Sequence, residues 1–295
     1  MKKKDYLLFI FLLILAVTGL IIHFKLNLTE ETIVTTAVMD SREQIELPIL
    51  MYHGITENAA KVSEYTISAD LFEQDLKWLK DNGFTTISIK QLINYAENGS
   101  KLPERPVLLT FDDGYCNNYA YAFPLLQKYK AKAVISVIGE ESDISSGTIY
   151  RDVEHCNISW GEAAIMSQSG LVEIGNHTYQ LHNSTGPRKG ADKKAGESLE
   201  DYRKVLTEDI GKNQKLIQTA TGKPALVFAW PLGAYPMDGS ANPILKDLGF
   251  KVSLTSYQIM NTIERGNPDC LFGLKRFLRT PDFSLEKINE AGKEK

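Results

Sequence analysis

The chain has 295 residues, of which 43% are hydrophobic and 24% charged, and this size suits one large α/β domain or two small ones. Its formal net charge of −4 at pH 7, without a basic stripe, argues against a nucleic-acid partner. Three scattered cysteines, Cys116, Cys156 and Cys270, exclude a disulfide scaffold and lack metal-site spacing, although one undetermined pair is free to be oxidised outside the cell.

The N-terminal segment has the pattern of a membrane anchor. Lys2, Lys3 and Lys4 precede an uncharged apolar run over residues 6–22, which is near the short end of a membrane span. The run is long for a signal peptide, and no convincing small-x-small cleavage site follows it. The lysines favour an N-terminus kept in the cytoplasm. We therefore predict a single-pass signal anchor over residues 1–25, with a cleaved signal peptide as the alternative, and the rest of the chain outside the cytoplasm.

The next segment changes from a polar linker to a folded domain. Residues 26–46 lack hydrophobic periodicity and are predicted to form a stalk. The domain is predicted to occupy residues 47–295 and to begin with a short apolar strand that ends in His53. Apolar residues at helical spacing then predict a helix over residues 68–82. A strand over residues 85–89 and a short helix are expected to follow.

The central feature of the sequence is the run Val107-Leu-Leu-Thr-Phe111, which predicts a strand buried on both faces. Asp112 and Asp113 follow at its end, and Gly114 allows a turn that a side chain would hinder. Because successive strand residues point to opposite sides, the two carboxylates are expected to diverge and take different roles. Asp-Asp-Gly on its own is most often an ordinary turn.

The second half of the chain continues to alternate strands with helices. Strands are predicted over residues 131–138, 171–174, 226–229, 251–254 and 272–277, and helices over residues 119–129, 159–170, 198–220 and 243–248. Pro124 requires its helix to kink or to begin late. Residues 183–197 are rich in Gly, Lys and Ser, which predicts a mobile loop. The alternation implies parallel βαβ units, and seven or eight such strands can close into a (β/α) barrel.

Polar residues at strand ends favour the barrel over an open sheet. His53, Asp112, Asp113, His177 and Arg276 all lie at or just past the carboxyl ends of predicted strands. In a (β/α) barrel that face carries the active site. No Gly-x-Gly-x-x-Gly motif opens a helix, which argues against a dinucleotide-binding fold.

The histidines at this face have the chemistry of a metal site. His177 and His182 are five residues apart, a spacing that fits a strand-end loop better than one face of a helix. Two imidazoles with one carboxylate form a standard catalytic zinc shell, which leaves positions for water and substrate. A histidine pair alone is more often a surface or structural feature. Its agreement with the carboxylates and the strand ends favours metal binding.

Two of these motifs carry a resemblance to a known family. Thr110-Phe-Asp-Asp-Gly114 and His177-Thr-x-x-x-His182 resemble the first two motifs of the polysaccharide deacetylases, also called NodB-homology or carbohydrate esterase family 4 enzymes. The histidine spacing and the early Leu50-Met-Tyr-His53 resemble the branch that deacetylates poly-N-acetylglucosamine. The resemblance covers residues 47–280. It implies a distorted (β/α) barrel of seven to eight parallel strands and a divalent metal, usually zinc, with cobalt or nickel as alternatives.

The resemblance also implies a role for each matching residue. Asp113, His177 and His182 are expected to bind the metal, and Asp112 is expected to act as the general base. The family's usual late-chain histidine acid is missing, because no histidine follows His182. The poly-N-acetylglucosamine branch uses an early histidine instead, and His53 matches it. His53 is therefore expected to protonate the leaving amine.

Three further assignments concern charge and sugar binding. The backbone N–H of Tyr115 is expected to help hold the oxyanion. The family's third motif usually has an arginine two residues before a proline, where this chain has Ala229, and Arg276 is our hypothesis for its replacement. Trp230, Leu232 and Tyr235 are candidates for a sugar-stacking wall, with core packing as the alternative.

These observations predict a membrane-anchored, metal-dependent deacetylase of an N-acetylglucosamine glycan at the bacterial cell surface, acting on poly-N-acetylglucosamine or peptidoglycan. A carbohydrate-binding pseudoenzyme is a rival that the displaced arginine favours. An esterase for sugar O-acetyl groups is a third candidate. It would depend less on His53, because an alkoxide leaves more readily than an amine anion.

Overall fold

The structure, a computed structural model, describes residues 43–290 together with Thr18 and His23. Apart from these two residues, the predicted anchor over residues 1–25 lies outside the described part, as does most of the predicted stalk over residues 26–46. Within the described part, no helix has both the length and the apolar character needed to cross a membrane. Among the described residues, 44–290 form one unit.

The described residues contain twelve strands and eight α-helices, joined by short helical turns. The strands are β1 (Gln44–Leu47), β2 (Ile49–Tyr52), β3 (Gly54–Thr56), β4 (Thr66–Ser68), β5 (Thr85–Thr86), β6 (Pro106–Phe111), β7 (Ala133–Val137), β8 (Val172–Asn176), β9 (Val227–Ala229), β10 (Val252–Leu254), β11 (Asn261–Glu264) and β12 (Phe277–Leu278). The helices are α1 (Ala69–Asp81), α2 (Ile89–Asn98), α3 (Phe123–Tyr129), α4 (Gly139–Ser146), α5 (Trp160–Gln168), α6 (Leu199–Thr221), α7 (Asn242–Asp247) and α8 (Glu286–Glu290).

The main sheet is a parallel half-barrel with the strand order β10-β9-β8-β7-β6-β2-β12. Strand β5 pairs with the start of β6 beside this path. A single parallel bridge between Leu254 and Leu274 connects β10 to the segment that leads into β12. The predicted parallel α/β architecture is thus confirmed as a seven-stranded half-barrel. Two small sheets flank it, β1 with β11 and β3 with β4.

Strand β6 lies inside the sheet because both of its faces are apolar. Val107, Leu109 and Phe111 pack into the larger hydrophobic cluster, and Leu108 packs into the smaller cluster on the other side. All six residues of the strand are buried. The first polar side chains after it, Asp112 and Asp113, therefore emerge only where the strand ends.

Local capping signals decide where the helices begin. The side chains of Ser68, Ser159 and Ser198 accept hydrogen bonds from the first turns of α1, α5 and α6. Ser159 and Glu162 form the predicted capping box. Pro124 lies in the first turn of α3, after a π-helical turn, which confirms the late helix start.

Several predicted boundaries were wrong. The strand predicted over residues 85–89 ends at Thr86, because Ser88 caps helix α2. The strand predicted over residues 272–277 is reduced to Phe277–Leu278. Residues 44–46, assigned to the stalk, belong to β1, which pairs antiparallel with β11.

The loop over residues 183–197 is anchored, in contrast to the mobile loop that its composition predicts. The Tyr202 hydroxyl donates to the carbonyl of Ala191 at 2.8 Å, and Ala191 is buried in the core. Arg188 forms a buried ion pair with Glu197. These contacts hold the loop against α6.

Candidate active site

The carboxyl ends of the parallel strands surround a cavity of about 640 Å³, which we call the strand-end cavity. Strand β2 ends just before His53, β6 just before Asp112 and Asp113, and β8 just before His177. All four residues line the cavity, together with His182, Tyr115, Leu232 and Arg276. The structure therefore brings together most of the site residues that the sequence predicts.

The three candidate metal ligands converge on one point. A ligand atom from each of Asp113, His177 and His182 lies within 4.8 Å of the other two. The Asp113 Oδ1 atom is 3.4 Å from Nε2 of His177 and 3.2 Å from Nε2 of His182. His177 is buried, and His182 is half-buried at the cavity wall.

The hydrogen bonding of these groups fits a bound cation. Nδ1 of His177 lies 2.8 Å from the carbonyl oxygen of Ala229, so Nδ1 carries the proton and Nε2 presents a lone pair. Asp113 Oδ1 is buried and has no hydrogen-bond partner of ordinary geometry among the described residues. Two electron-pair donors that face each other need a proton or a cation between them, and the convergence of three such groups favours a cation. Two imidazoles and one carboxylate suit zinc, and also cobalt or nickel.

The backbone at Asp113 adopts an unusual conformation. Its φ of 66° lies in the left-handed region, which residues other than glycine seldom adopt. Gly114 follows with a φ of 65°, and a Cβ there would lie 3.0 Å from a methyl of Val137. This tight turn sends the Asp113 carboxylate toward the histidines and separates it from Asp112.

Asp112 is held by Arg276 through two parallel hydrogen bonds. Nη1 and Nη2 of Arg276 each donate to one carboxylate oxygen at 2.7 Å, and both side chains are buried. Arg276 Nε donates to the carbonyl of Thr255 at 2.7 Å. Arg276 immediately precedes β12, so the predicted position at the end of a strand was wrong. Its guanidinium nevertheless reaches the predicted partner.

The charges around Asp112 determine its protonation. Burial by itself raises the pKa of the Asp112 carboxyl. The positive charge of Arg276, with a smaller contribution from the neighbouring His177, outweighs burial and lowers that pKa below its ordinary value. Asp113 behaves in the same way, because the imidazoles facing it outweigh burial and hold its pKa well below the usual range. Both groups are therefore carboxylates at neutral pH.

His53 lies across the same cavity. Burial lowers the pKa of its imidazole, and the charges of Asp112 and Asp113, which raise it, offset burial only in part. Its Nδ1 is buried without a hydrogen-bond partner within residues 43–290. The ring meets Tyr65 edge to face, with 5.1 Å between the ring centroids. His53 thus lines the cavity beside both carboxylates, as the predicted general acid would have to.

The predicted sugar-stacking wall is largely wrong. Trp230 is 0% exposed and packs against Phe228 with 4.9 Å between ring centroids, so it belongs to the core. Tyr235 is half-buried against Trp230 and does not line the strand-end cavity. Leu232 does line it and is exposed. The alternative of core packing holds for Trp230, because the residue after β9 points into the apolar interior.

Tyr115 lies beside the metal ligands. Burial and then the charge of Asp113 raise the pKa of its phenol, so the side chain stays neutral. Its backbone forms an isolated bridge with Asn157. Tyr115 lines the strand-end cavity two residues after Asp113, and the oxyanion role of its backbone N–H stays a prediction.

Sequence reasoning missed two groups of residues. Tyr65, 52% exposed, and Lys189 line the cavity from loops whose sequences carry no recognisable motif. The disulfide joins Cys116 to Cys156, whose Cα atoms lie 5.3 Å apart, and Cys270 is free. The one sequence signal for this disulfide was the position of Cys116, two residues after the central Asp-Asp-Gly motif.

Comparisons with known proteins agree with this geometry. A family model for polysaccharide deacetylases matches residues 99–253, just over half of the 295 residues. A poly-beta-1,6-N-acetyl-D-glucosamine N-deacetylase of Escherichia coli K12 is 28% identical over 260 residues, which cover 81% of this chain. The chain spans 37% of the length of that relative.

Two solved structures share the fold. A de-N-acetylase from Aggregatibacter actinomycetemcomitans superposes with a TM-score of 0.70 at 29% identity, covering 84% of this chain and 100% of that one. IcaB from Ammonifex degensii gives a TM-score of 0.67 at 28% identity, covering 84% and 97%. The similarity therefore extends over nearly all of the described residues.

Proposed function

The chain belongs to the polysaccharide deacetylase family, and from this premise we propose that it is a metal-dependent hydrolase that removes N-acetyl groups from N-acetylglucosamine residues of a cell-surface polysaccharide. The observation that carries the proposal is the strand-end cavity. There a buried carboxylate held by an arginine lies beside a convergent pair of histidines and a second carboxylate.

Asp113, His177 and His182 would hold the metal. When bound, a divalent cation supplies Lewis acidity, which polarises a carbonyl group and makes water a stronger acid. The Ala229 carbonyl keeps the Nε2 lone pair of His177 directed at the site. We propose zinc as the resident ion, with cobalt and nickel as functional substitutes.

Asp112 is proposed to act as the general base. Its carboxylate is ionised, faces the cavity and is oriented by two hydrogen bonds from Arg276. It would accept the proton that water loses as it attacks the acetamide carbonyl carbon. Arg276 would keep the carboxylate in place and replace the arginine that the third family motif lacks in this chain.

The remaining steps concern the oxyanion and the leaving group. The backbone N–H of Tyr115 would donate to the carbonyl oxygen as it becomes negative. The amine must be protonated before it can leave, and His53 is proposed to supply that proton. Burial lowers the pKa of His53, so only a minor fraction of the rings is protonated at neutral pH, and that fraction is the form that can donate the proton.

Poly-β-1,6-N-acetylglucosamine is our proposed substrate, because the E. coli relative is named for it and the early histidine matches that branch. The proposed location is the cell surface, where the predicted N-terminal anchor would tether the domain to the membrane. The disulfide between Cys116 and Cys156 supports a location outside the cytoplasm, since disulfides persist in oxidising compartments.

The deciding experiment is acetate release by the purified full-length chain loaded with zinc or cobalt. The substrates are β-1,6- and β-1,4-linked N-acetylglucosamine oligomers. We expect acetate from the β-1,6 oligomer, and a turnover lower by about 10²- to 10⁴-fold in Asp112→Asn. A folded, metal-loaded wild type that releases no acetate from either oligomer would point to peptidoglycan or to the pseudoenzyme.

The paired geometry of Asp112 and Arg276 argues against the pseudoenzyme, because the displaced arginine was its main support. His53→Ala separates the two hydrolases. For an N-deacetylase we expect a turnover lower by about 10²-fold or more. Near-full activity of the variant on an O-acetylated sugar would instead favour the esterase.

A further inference from the structure

The turn that carries Asp113 is held by a distant segment of the chain. Residues 156–158, which we call the strap, run beside the turn over residues 113–116. Ile158 N–H donates to the carbonyl of Gly114 at 2.7 Å, and Cys116 N–H donates to the carbonyl of Cys156 at 2.8 Å. The disulfide between Cys116 and Cys156 links the same two segments covalently.

Asn157 is the strap residue that reaches the candidate metal ligand. Its side-chain Nδ2 donates to the backbone carbonyl of Asp113 at 2.7 Å. Asp113 is the residue with the left-handed backbone, at a φ of 66°. A left-handed aspartate needs support from its surroundings, because the conformation is intrinsically unfavourable.

The strap is itself fixed from outside the site. Nη1 of Arg151 donates to the carbonyl of Asn157 at 3.2 Å. The same guanidinium donates to both carboxylate oxygens of Glu162, at 2.8 Å and 2.6 Å. Glu162 belongs to the capping box of α5. Asn157 is therefore anchored to a helix that carries none of the candidate ligands.

We propose that Asn157 is a positioning residue that sets the metal affinity of the site. Its amide holds the Asp113 carbonyl, and this keeps the backbone in the conformation that directs Oδ1 at both histidines. The inference rests on the proposed function, since it assumes that Asp113, His177 and His182 hold a metal. Without the amide, the turn can relax and the carboxylate rotates away from Nε2 of His177 and His182.

The test is zinc affinity of the full-length chain, measured by competition with a chromophoric chelator. We expect Asn157→Ala to bind zinc about ten- to a hundredfold more weakly, as for other residues that orient metal ligands. Asn157→Asp is a second variant of the same size. It removes the amide donor and places a carboxylate oxygen against the Asp113 carbonyl. Both variants are compared with the wild type at equal protein and zinc concentrations.

Asn82→Ala is the matched control. Nδ2 of Asn82 also donates to a backbone carbonyl, that of Trp78 at 2.9 Å, and this half-buried residue lies at the end of α1. We expect the zinc affinity of the Asn82→Ala variant to equal that of the wild type. Melting temperatures of the metal-free proteins accompany each titration, because a merely structural role lowers them without weakening zinc binding.

The outcomes separate the two proposals. A wild type that binds no zinc overturns the metal site and, with it, the role of Asn157. Wild-type zinc affinity in a folded Asn157 variant overturns the positioning role alone. A fall in melting temperature without a fall in affinity does the same. Weaker zinc binding in the Asn157 variants, with the Asn82 control unchanged, supports the inference.

Discussion

Two arginines three residues apart, Arg276 and Arg279, each make a buried bidentate ion pair with an aspartate. Arg276 holds Asp112 through two bonds of 2.7 Å, and Arg279 holds Asp75 through two bonds of 2.8 Å. By distance and burial the pairs are nearly equal. They differ in what surrounds the carboxylate.

Asp75 is enclosed, whereas Asp112 faces the strand-end cavity. The hydroxyl of Tyr52 also donates a hydrogen bond to the Asp75 carboxylate, at 3.1 Å. Burial raises the pKa of the Asp75 carboxyl, and Arg279 offsets this only in part. At Asp112 the positive charge of Arg276, with a smaller contribution from the neighbouring His177, outweighs burial and lowers the pKa. The Arg279–Asp75 pair thus joins α1 to the sheet, whereas the Arg276–Asp112 pair keeps a carboxylate ionised at the cavity.

The largest expected effect on stability comes from breaking the enclosed pair. Arg279→Ala leaves Asp75 buried without its counter-charge, and we expect the free energy of unfolding to fall by about 3–5 kcal/mol. Urea unfolding of the variant and the wild type measures this directly. Turnover per folded molecule is expected to stay at the wild-type level. If Arg279→Ala lowered the free energy of unfolding by no more than Arg276→Ala does, the two ion pairs would not differ in their contribution to stability.

Breaking the cavity-facing pair should act on catalysis instead. In Arg276→Ala the Asp112 carboxylate loses its orientation, and we expect kcat to fall by about 10²-fold. Steady-state acetate release measures kcat. Arg276→Lys restores the charge without the two parallel hydrogen bonds and is expected to recover only part of the rate. Unchanged turnover in Arg276→Ala would remove Arg276 from the proposed machinery.

The smallest change sharpens the comparison further. Tyr52→Phe deletes only the hydroxyl that donates to Asp75, and we expect the free energy of unfolding to fall by about 1 kcal/mol. Turnover is expected not to change, although His53 is the next residue in the chain. Acetate release and urea unfolding on one preparation test both statements. Reduced turnover at wild-type stability would mean that the Asp75 network also positions His53.

The sequence predicted the parts of the site that follow directly from strands. His53, Asp112, Asp113 and His177 each come after a buried apolar run, and the carboxyl ends of parallel strands meet at one edge. Arg276 was harder to place, because its segment is not the predicted strand and its partner lies 164 residues away. Only the tertiary fold brings its guanidinium to Asp112.

The misses have a common physical cause. Trp230 follows a strand just as His177 does, but its side chain enters the core, and residue type alone does not reveal that direction. Asn157 and Tyr65 lie in loops without periodicity, so no pattern marks them. The pairing of Cys116 with Cys156 depends on the approach of two loops, which no spacing rule predicts.

The position of the two arginines also affects how the protein is made. Both come from the segment around β12, the last strand of the sheet, and their partners are synthesised far earlier. A chain that stops before residue 276 lacks the counter-charges of two buried carboxylates at once. It would lose stability and the orientation of the base together. Incomplete or clipped chains should therefore be removed by proteases and should not persist as folded proteins that bind glycan without hydrolysing it.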